Sequence, residues 1–477
     1  MKRALISAAV LLGLAACAEV GPNYKVPAAA VANAPAAQGP FMGAATAGLS
    51  QADARDDWWR LYDDPALDAL VREALGANTD LRVAAANLAR AEAVVSEAKA
   101  AGGWSASVSA SAERAMVSGE SYLRDAPIPA ENLADVGARI SYQVDLVGKL
   151  KRATEAAHAD ADSTRAALDL VRVSVAAGVA GAYVEACAAG HELDIAQHAV
   201  DLQQRRLEAT RTLIAAGRGA ALDATRAQAL LDEARAGEPA LDGRRRAALY
   251  RLAVLTGRPP AQFPRALETC DQPPRLTRPI PVGDGASLLR RRPDVRRAER
   301  DLAAATARIG VATAALYPTI SFGLGAGSTG LLADLGQPAA NRWSAGSLIS
   351  WTLPAGGERA RIRQANASAD AALARFDGVV LTALQETETS LTVYVRDMDR
   401  NAQLRAARDS AATADRQVQT LRAAGRSPYL AGLDAQRTLA SADAALAASD
   451  AQVAADQVRL FLALGGGWKT ASAAAPS

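Results

Sequence analysis

Two spacings of apolar residues divide this chain. In the first, apolar or small residues recur every third or fourth position: Leu168, Val171, Val175, Gly178, Ala182, Ala186, Ala189, Leu193, Ala196 and Val200 form one stripe. Leu373, Phe376, Val380, Leu384, Thr387, Leu391, Tyr394 and Met398 form another. That period belongs to helices packed along a narrow seam, and the small residues let backbones approach closely. It predicts very long helical stretches over about 150–216 and about 358–424, with returning helices over about 221–256 and about 428–464. Each long path would span roughly 100 Å at 1.5 Å per residue, so a break midway is expected. A helix of that length cannot bury its seam alone and needs lateral neighbours.

In the second spacing, apolar and polar residues alternate. Residues 104–112 read WSASVSASA, 140–146 ISYQVDL, 320–326 ISFGLGA and 349–353 ISWTL. Period two with one apolar and one polar face fits strands between lipid and water. The predicted strands cover about 104–113, 137–147, 318–327 and 345–354, close to the length of a tilted membrane strand. The links at 113–136 and 327–344 would be extracellular loops. Four strands cannot close a barrel, and an open edge is not viable in lipid. Several protomers must then contribute four strands each; two would give a barrel filled by side chains, and three could leave a lumen.

The two spacings recur in the same order. Asp80-Leu81-Arg82 matches Asp294-Val295-Arg296, and Leu88, Ala91, Val95 and Ala98 match Leu302, Ala305, Ile309 and Ala312, all at an offset of 214. Tyr142 and Gly148 match Trp351 and Gly357 at 209; Gly217 matches Gly425, Ala227-Gln228 matches Ala435-Gln436, and Gly257 matches Gly465 at 208. This indicates a duplicated helix–hairpin unit: a first repeat over 61–257, a Pro-rich linker over 258–283, and a second repeat over 284–468. A first helix is expected at 78–101 in one copy and 294–316 in the other. An extended segment (18–60) precedes the repeats and a short tail (469–477) follows them.

Composition narrows the function. The 477 residues carry 53 basic and 51 acidic side chains, a balance that gives no electrostatic reason to expect nucleic acid as a partner. Half the residues are hydrophobic but only 4% are aromatic, so much of the apolar content is Ala, a strong helix former. No phosphate-binding loop, metal triad or nucleophile–base constellation stands out, and the chain is read as not an enzyme. His158, His191 and His198 lack metal-ligand spacing. The three cysteines do not make a disulfide framework: Cys187 reads as a small buried hydrophobe in a helix, and Cys270 lies in the Pro-rich linker with no evident partner.

Residues 1–17 read MKRALISAAVLLGLAAC. Lys2 and Arg3 precede an apolar stretch and then small residues, the order of an export signal. Leu14-Ala15-Ala16-Cys17 looks like a bacterial lipobox, which implies acylation of Cys17 (a diacylglycerol and an N-acyl chain) and no other cofactor. Ala18 follows, where Asp would usually retain a lipoprotein at the inner membrane. No later stretch offers 18 uninterrupted apolar residues, so any crossing is expected to be a β-barrel.

The ordered motifs resemble the outer-membrane factors of tripartite efflux pumps, in the lipoprotein branch allied to TolC. Val20-Gly21-Pro22-Asn23-Tyr24 and Pro27 look like that branch's N-terminal signature. Trp58-Trp59, Tyr62, Asp64-Pro65 and Leu67 resemble its next block. Ser141-Tyr142, Asp145-Leu146 and Gly148 resemble its second-strand exit. Leu289, Arg292-Pro293-Asp294 and Ala298-Glu299 resemble the start of its second repeat; Tyr317-Pro318 and Gly356-Gly357 fit its strand boundaries, and Ala463 to Trp468 is similar to its C-terminal signature. The resemblance implies a mainly α chain with a small transmembrane β part. It implies a homotrimer with a 12-strand β-barrel in the outer membrane and a long periplasmic α-helical barrel. It also implies a periplasmic adaptor and an inner-membrane pump of the RND type as partners, with small molecules exported through a passive duct of a Gram-negative cell. A channel for one-step protein secretion shares the architecture. A lipid-anchored coiled-coil scaffold without a pore would leave the alternating strands unexplained.

Under that resemblance the turns at Gly217 and Gly425 lie at the periplasmic tip. Gly425 can take the left-handed conformation that ends a helix, Ser427 can cap the next one, and Pro428 suits its first position. Leu430, Asp434 and Arg437 match positions that line or latch the closed entrance. Leu430 and Asp434, four apart, share a helix face; threefold symmetry would make them an apolar constriction and an acidic ring, with Arg437 placed to pair with Asp434. Ala431 replaces an acidic residue common in the family, so a double ring is not expected. Asp223 sits at the comparable tip of the first repeat and can add charge there.

Overall fold

The computed structural model describes residues 19–44, 48–123 and 125–466; Cys17, Gly467 and Trp468 lie outside them. The elements follow one order twice. Helix α1 (Pro65–Ala77) leads into α2 (Thr79–Ala100), strands β1 (Trp104–Ala115) and β2 (Glu131–Val144), the long helix α3 (Lys149–Ala215) and the returning α4 (Ala221–Leu255). After the linker come α5 (Gly285–Arg291), α6 (Pro293–Ala314), β3 (Thr319–Leu331), β4 (Asn341–Ser350), α7 (Gly356–Ala423) and α8 (Tyr429–Ala463). Helices α3 and α7 run 67 and 68 residues without a break. The expected midway break is therefore absent: neither helix has an internal proline, and Ala-rich turns keep propagation favourable while neighbours cover the seam. One 18-residue window of α3 is apolar enough by composition to cross a membrane, yet most of it is buried inside the protein.

The chain divides into two compact units. The first holds residues 19–27, 87–165 and 297–376 and contains the sheet. Its strands pair antiparallel in sequence order, β1-β2-β3-β4; β1, β2 and β3 are longer than expected, while β4 keeps the expected length but starts four residues earlier and ends before Trp351-Thr352-Leu353, leaving shorter links at 116–130 and 332–340. The register sorts side chains by face, since residues opposite one another point the same way. One face carries Trp104, Val108, Tyr142, Ile140, Ile320, Phe322, Leu324, Ile349 and Trp343. On the other stand Ser105, Ser107, Ser109, Ser141, Arg139, Gly323, Gly325, Gly327, Ser344 and Arg342. Large apolar side chains on the first face are openly exposed, Val108 at 81% and Trp343 at 82%. Such a face is stable only against an apolar medium.

Residues 19–27 are pinned beside the sheet. The Val20 amide donates to the Val147 carbonyl (3.1 Å), Glu19 pairs with Lys151, and Gly21 lies so close to Gly310 that neither tolerates a side chain. Buried Arg152 donates to the Val20 carbonyl (3.2 Å) and to Asn23 Oδ1 (2.7 Å).

The second unit holds residues 28–86, 166–296 and 377–466 of the described chain. Its N-terminal segment runs along α7: the amides of Val31 and Met42 donate to Asp377 and Glu388, each at 2.9 Å, and Leu49-Ser50 pairs in parallel with Ile280-Pro281. Trp58 is fully buried and stacks on Phe461 with ring centres 4.5 Å apart.

Cys187 and Cys270 form a disulfide with Cα atoms 4.8 Å apart. This corrects the reading of Cys187 as a plain hydrophobe and of Cys270 as partnerless. The reason is the helical hairpin: α4 returns until Leu255 packs on Gly178, and the linker then runs back along α3. Gly190 admits the Cys270 carbonyl where any side chain would collide.

A buried carboxyl marks the α7–α8 seam. Asp456 is 2% exposed and accepts from Gln452 (2.8 Å) and Arg459 (2.9 Å). Burial, reinforced by the neighbouring Asp397, raises its pKa from 3.8 to about 6. Between those values the folded chain keeps a proton that the unfolded chain has lost, so stability falls as pH rises through about 6. The displacement is worth on the order of 3 kcal/mol. Thermal unfolding should therefore show a midpoint that drops from pH 4.5 to pH 7.5, and Asp456→Asn should flatten that drop. An unchanged slope in the variant would assign the titration elsewhere.

Candidate functional site

The tip is built by two matching helix reversals. Helix α3 ends with Gly217 at φ +74° and α7 ends with Gly425 at φ +70°. At each, the glycine amide and the next amide bond back into the last turn: Gly217 to Ile214 and Arg218 to Leu213, Gly425 to Arg422 and Arg426 to Leu421, at 2.8–2.9 Å. The left-handed conformation satisfies the orphan carbonyls at the helix end, and glycine adopts it without a Cβ penalty.

The entry into α8 departs from expectation. Pro428 is the cap residue, extended at φ −72° and ψ 156°, and no side chain caps the helix. Ser427 makes no cap because Pro428 is itself extended, so the helix starts at Tyr429 and Ser427 lies one position before the cap.

Leu430, Asp434 and Arg437 share one face of α8, as expected. Arg437 donates to Asp434 Oδ1 at 3.1 Å. Both side chains are about 70% exposed, so the pair contributes a few tenths of a kcal/mol within this chain. Leu430 stands 53% exposed, an apolar side chain facing water at the tip. These three join Leu433 from α8 and Arg226, Ala229, Leu230 and Glu233 from α4 around a cleft of about 450 Å³. Asp223 is not among its lining residues.

Sequence reasoning missed the α4 side of this cleft. Arg226 and Glu233 are seven apart, two helical turns, so both fall on the face that Leu230 marks; that spacing was the available signal. It also missed the joint above the cleft, where Arg206 of α3, largely buried, donates to Gln436 of α8. Gly432 lies under the Arg422 side chain, which reaches across from α7. Asp434 thus lines one cleft with Arg437, Arg226 and Glu233, charged groups from two helices.

A two-faced antiparallel sheet joined to paired long helices defines an outer-membrane channel protein. Residues 70–258 and 286–466 both match the family described as outer membrane efflux protein, and the chain belongs to that family. It is 31% identical to the toluene efflux pump outer membrane protein TtgC of Pseudomonas putida, over 98% of this chain and 96% of that one. It is likewise 31% identical to nodulation protein T of Rhizobium leguminosarum bv. viciae, over 88% and 86%. Among solved structures, the outer-membrane channel OprN superposes with a TM-score of 0.86 at 33% identity, covering 94% of this chain and 99% of that one. The protein is thus an outer-membrane efflux channel of the kind that serves tripartite pumps.

Proposed function

We propose that three copies assemble into one duct. The observation that carries this reading is the sheet: four strands, apolar on one face and Ser/Gly-rich on the other, with β1 and β4 each paired on one side only. Three such sheets joined edge to edge make a 12-strand barrel with lipid outside and water inside, and every backbone group is then paired. The duplicated unit supplies four strands and two helical hairpins per copy. Its support is the twofold family match and the equal lengths of α2 and α6 (22 residues) and of α4 and α8 (35). A periplasmic adaptor and an RND-type inner-membrane pump feed the duct, which moves small molecules passively and needs no catalytic centre. Leu430, Asp434 and Arg437 close its periplasmic end, at the reversals that Gly425 and Gly217 make. Asp223 adds charge nearby.

The reading is tested with purified protein. It should run as a heat-modifiable trimer and produce discrete conductance steps in planar bilayers. A species that stays monomeric and silent would exclude it.

Cys17 is proposed to carry the lipid. Glu19 and Val20 are held at the junction of β2 and α3, and two residues of chain reach about 7 Å. Acyl chains on Cys17 would therefore enter the membrane beside the barrel wall. Cys17→Ala should abolish incorporation of labelled palmitate and weaken retention in the outer membrane fraction. Label still attached to the variant would place the lipid elsewhere.

A further inference from the structure

Across its middle the polar face of the sheet is lined by serine and glycine, and its charges there are few. Across the strands, Ser105, Ser141, Gly323 and Gly346 form one row; Ser107, Arg139, Gly325 and Ser344 form the next; Ser109, Gly137, Gly327 and Arg342 form the third. Arg342 is neutralised: its guanidinium bonds both oxygens of Asp135, at 2.6 and 2.9 Å, and Thr329 donates to the same carboxylate. Arg342 also leans over Gly137, where an added Cβ would lie 3.3 Å from it. Arg139 has no such partner. The other acids on this face, Glu113 opposite Leu133 and Glu131 opposite Ala115, stand six and eight positions along β2 from Arg139, or about 20 Å and more at 3.4 Å per residue. The neighbours of Arg139 in its row are Ser107, Gly325 and Ser344, too short to cover it. Beside it the sheet forms a depression of about 250 Å³, lined by Ser321, Gly323, Gly325, Ser344 and Gly346.

We infer that Arg139 makes an anion-selective station inside the barrel, favouring cargo that bears a carboxylate or sulfate. The inference rests on the trimeric duct reading. In a closed barrel the polar face lines the lumen, and three copies of Arg139 stand at one level of a wall otherwise neutral there. A guanidinium is charged at every working pH and offers a planar fork of donors to an oxyanion. The glycine-rich floor leaves that fork open to the lumen, while the paired Asp135 and Arg342 add no net charge. A fixed charge in a pore raises the local concentration of counter-ions and steers what passes.

The test is the reversal potential of single channels across a gradient of about 10 to about 100 mM KCl, where screening lengths of roughly 10 to 30 Å leave a wall charge effective across the pore. Wild type should pass chloride relative to potassium better than Arg139→Ser by roughly threefold or more. Arg139→Lys should keep most of the wild-type ratio, and Arg139→Glu should invert it. Serine is the residue this face already uses, so the Ser variant keeps the wall intact, and a heat-modifiable trimer checks its assembly. Equal chloride-to-potassium ratios in wild type, Arg139→Ser and Arg139→Glu would overturn the station while leaving the duct standing. No conductance from wild type would overturn both.

Discussion

Replacing Leu430 and Asp434 together with alanine is expected to raise single-channel conductance in planar bilayers several-fold. Leu430 is an exposed leucine at the tip and Asp434 stands one turn further on the same face. Their burden within one chain is small, since the Asp434–Arg437 pair is exposed and weak. Their effect comes from threefold repetition. Three leucines brought to an axis exclude water, and three carboxylates beside them repel one another unless each finds a cation. Arg437 and Arg226 are the cations within the cleft. Truncation removes both the apolar plug and the charges that hold it, so the entrance widens. Each single variant should give a smaller rise than the double, because the two act on one constriction. Conductance equal to wild type in the double variant would move the gate away from α8.

Breaking the disulfide is expected to cost about 4 kcal/mol of stability, and Cys270→Ser is the variant that shows it. The bond joins residues 83 apart in sequence, and closing so long a loop removes much of the unfolded chain's freedom. It also clamps the linker onto α3 at Gly190, where the Cys270 carbonyl sits against the helix backbone. The measurement is thermal unfolding of the purified protein with and without reductant. Wild type with reductant should fall to the level of Cys270→Ser, and the variant should not respond to reductant. A reductant-insensitive wild type with free thiols by alkylation would show that the bond does not form.

The long helices were legible because their signal is redundant. The stripe from Leu168 to Val200 repeats one spacing over several turns, so errors at single positions do not matter, and the predicted 150–216 became Lys149–Ala215. The strands were legible through their alternation, but their far ends were not. Residues 131–136 (ENLADV) break the alternation with Leu133 on the polar face, and only pairing with β1 and β3 shows that they continue the ladder. At the tip, the resemblance singled out Leu430, Asp434 and Arg437, and their spacing placed them on one helix face. Arg226 and Glu233 were not legible, because their role depends on which face of α4 meets α8. The cap assigned to Ser427 failed because local rules allowed two starts for the helix, one residue apart.

The class of this protein is written locally: the helical period, the strand alternation and their repetition are properties of neighbours along the chain, and physical chemistry reads them there. The Cys187–Cys270 bond, the unbroken course of α3 and α7, the buried Asp456 beside Asp397, and the isolation of Arg139 on the polar wall emerge only in the folded chain. Each of these depends on a residue far away in sequence, brought close by a helix reversal or a strand register that no local spacing encodes.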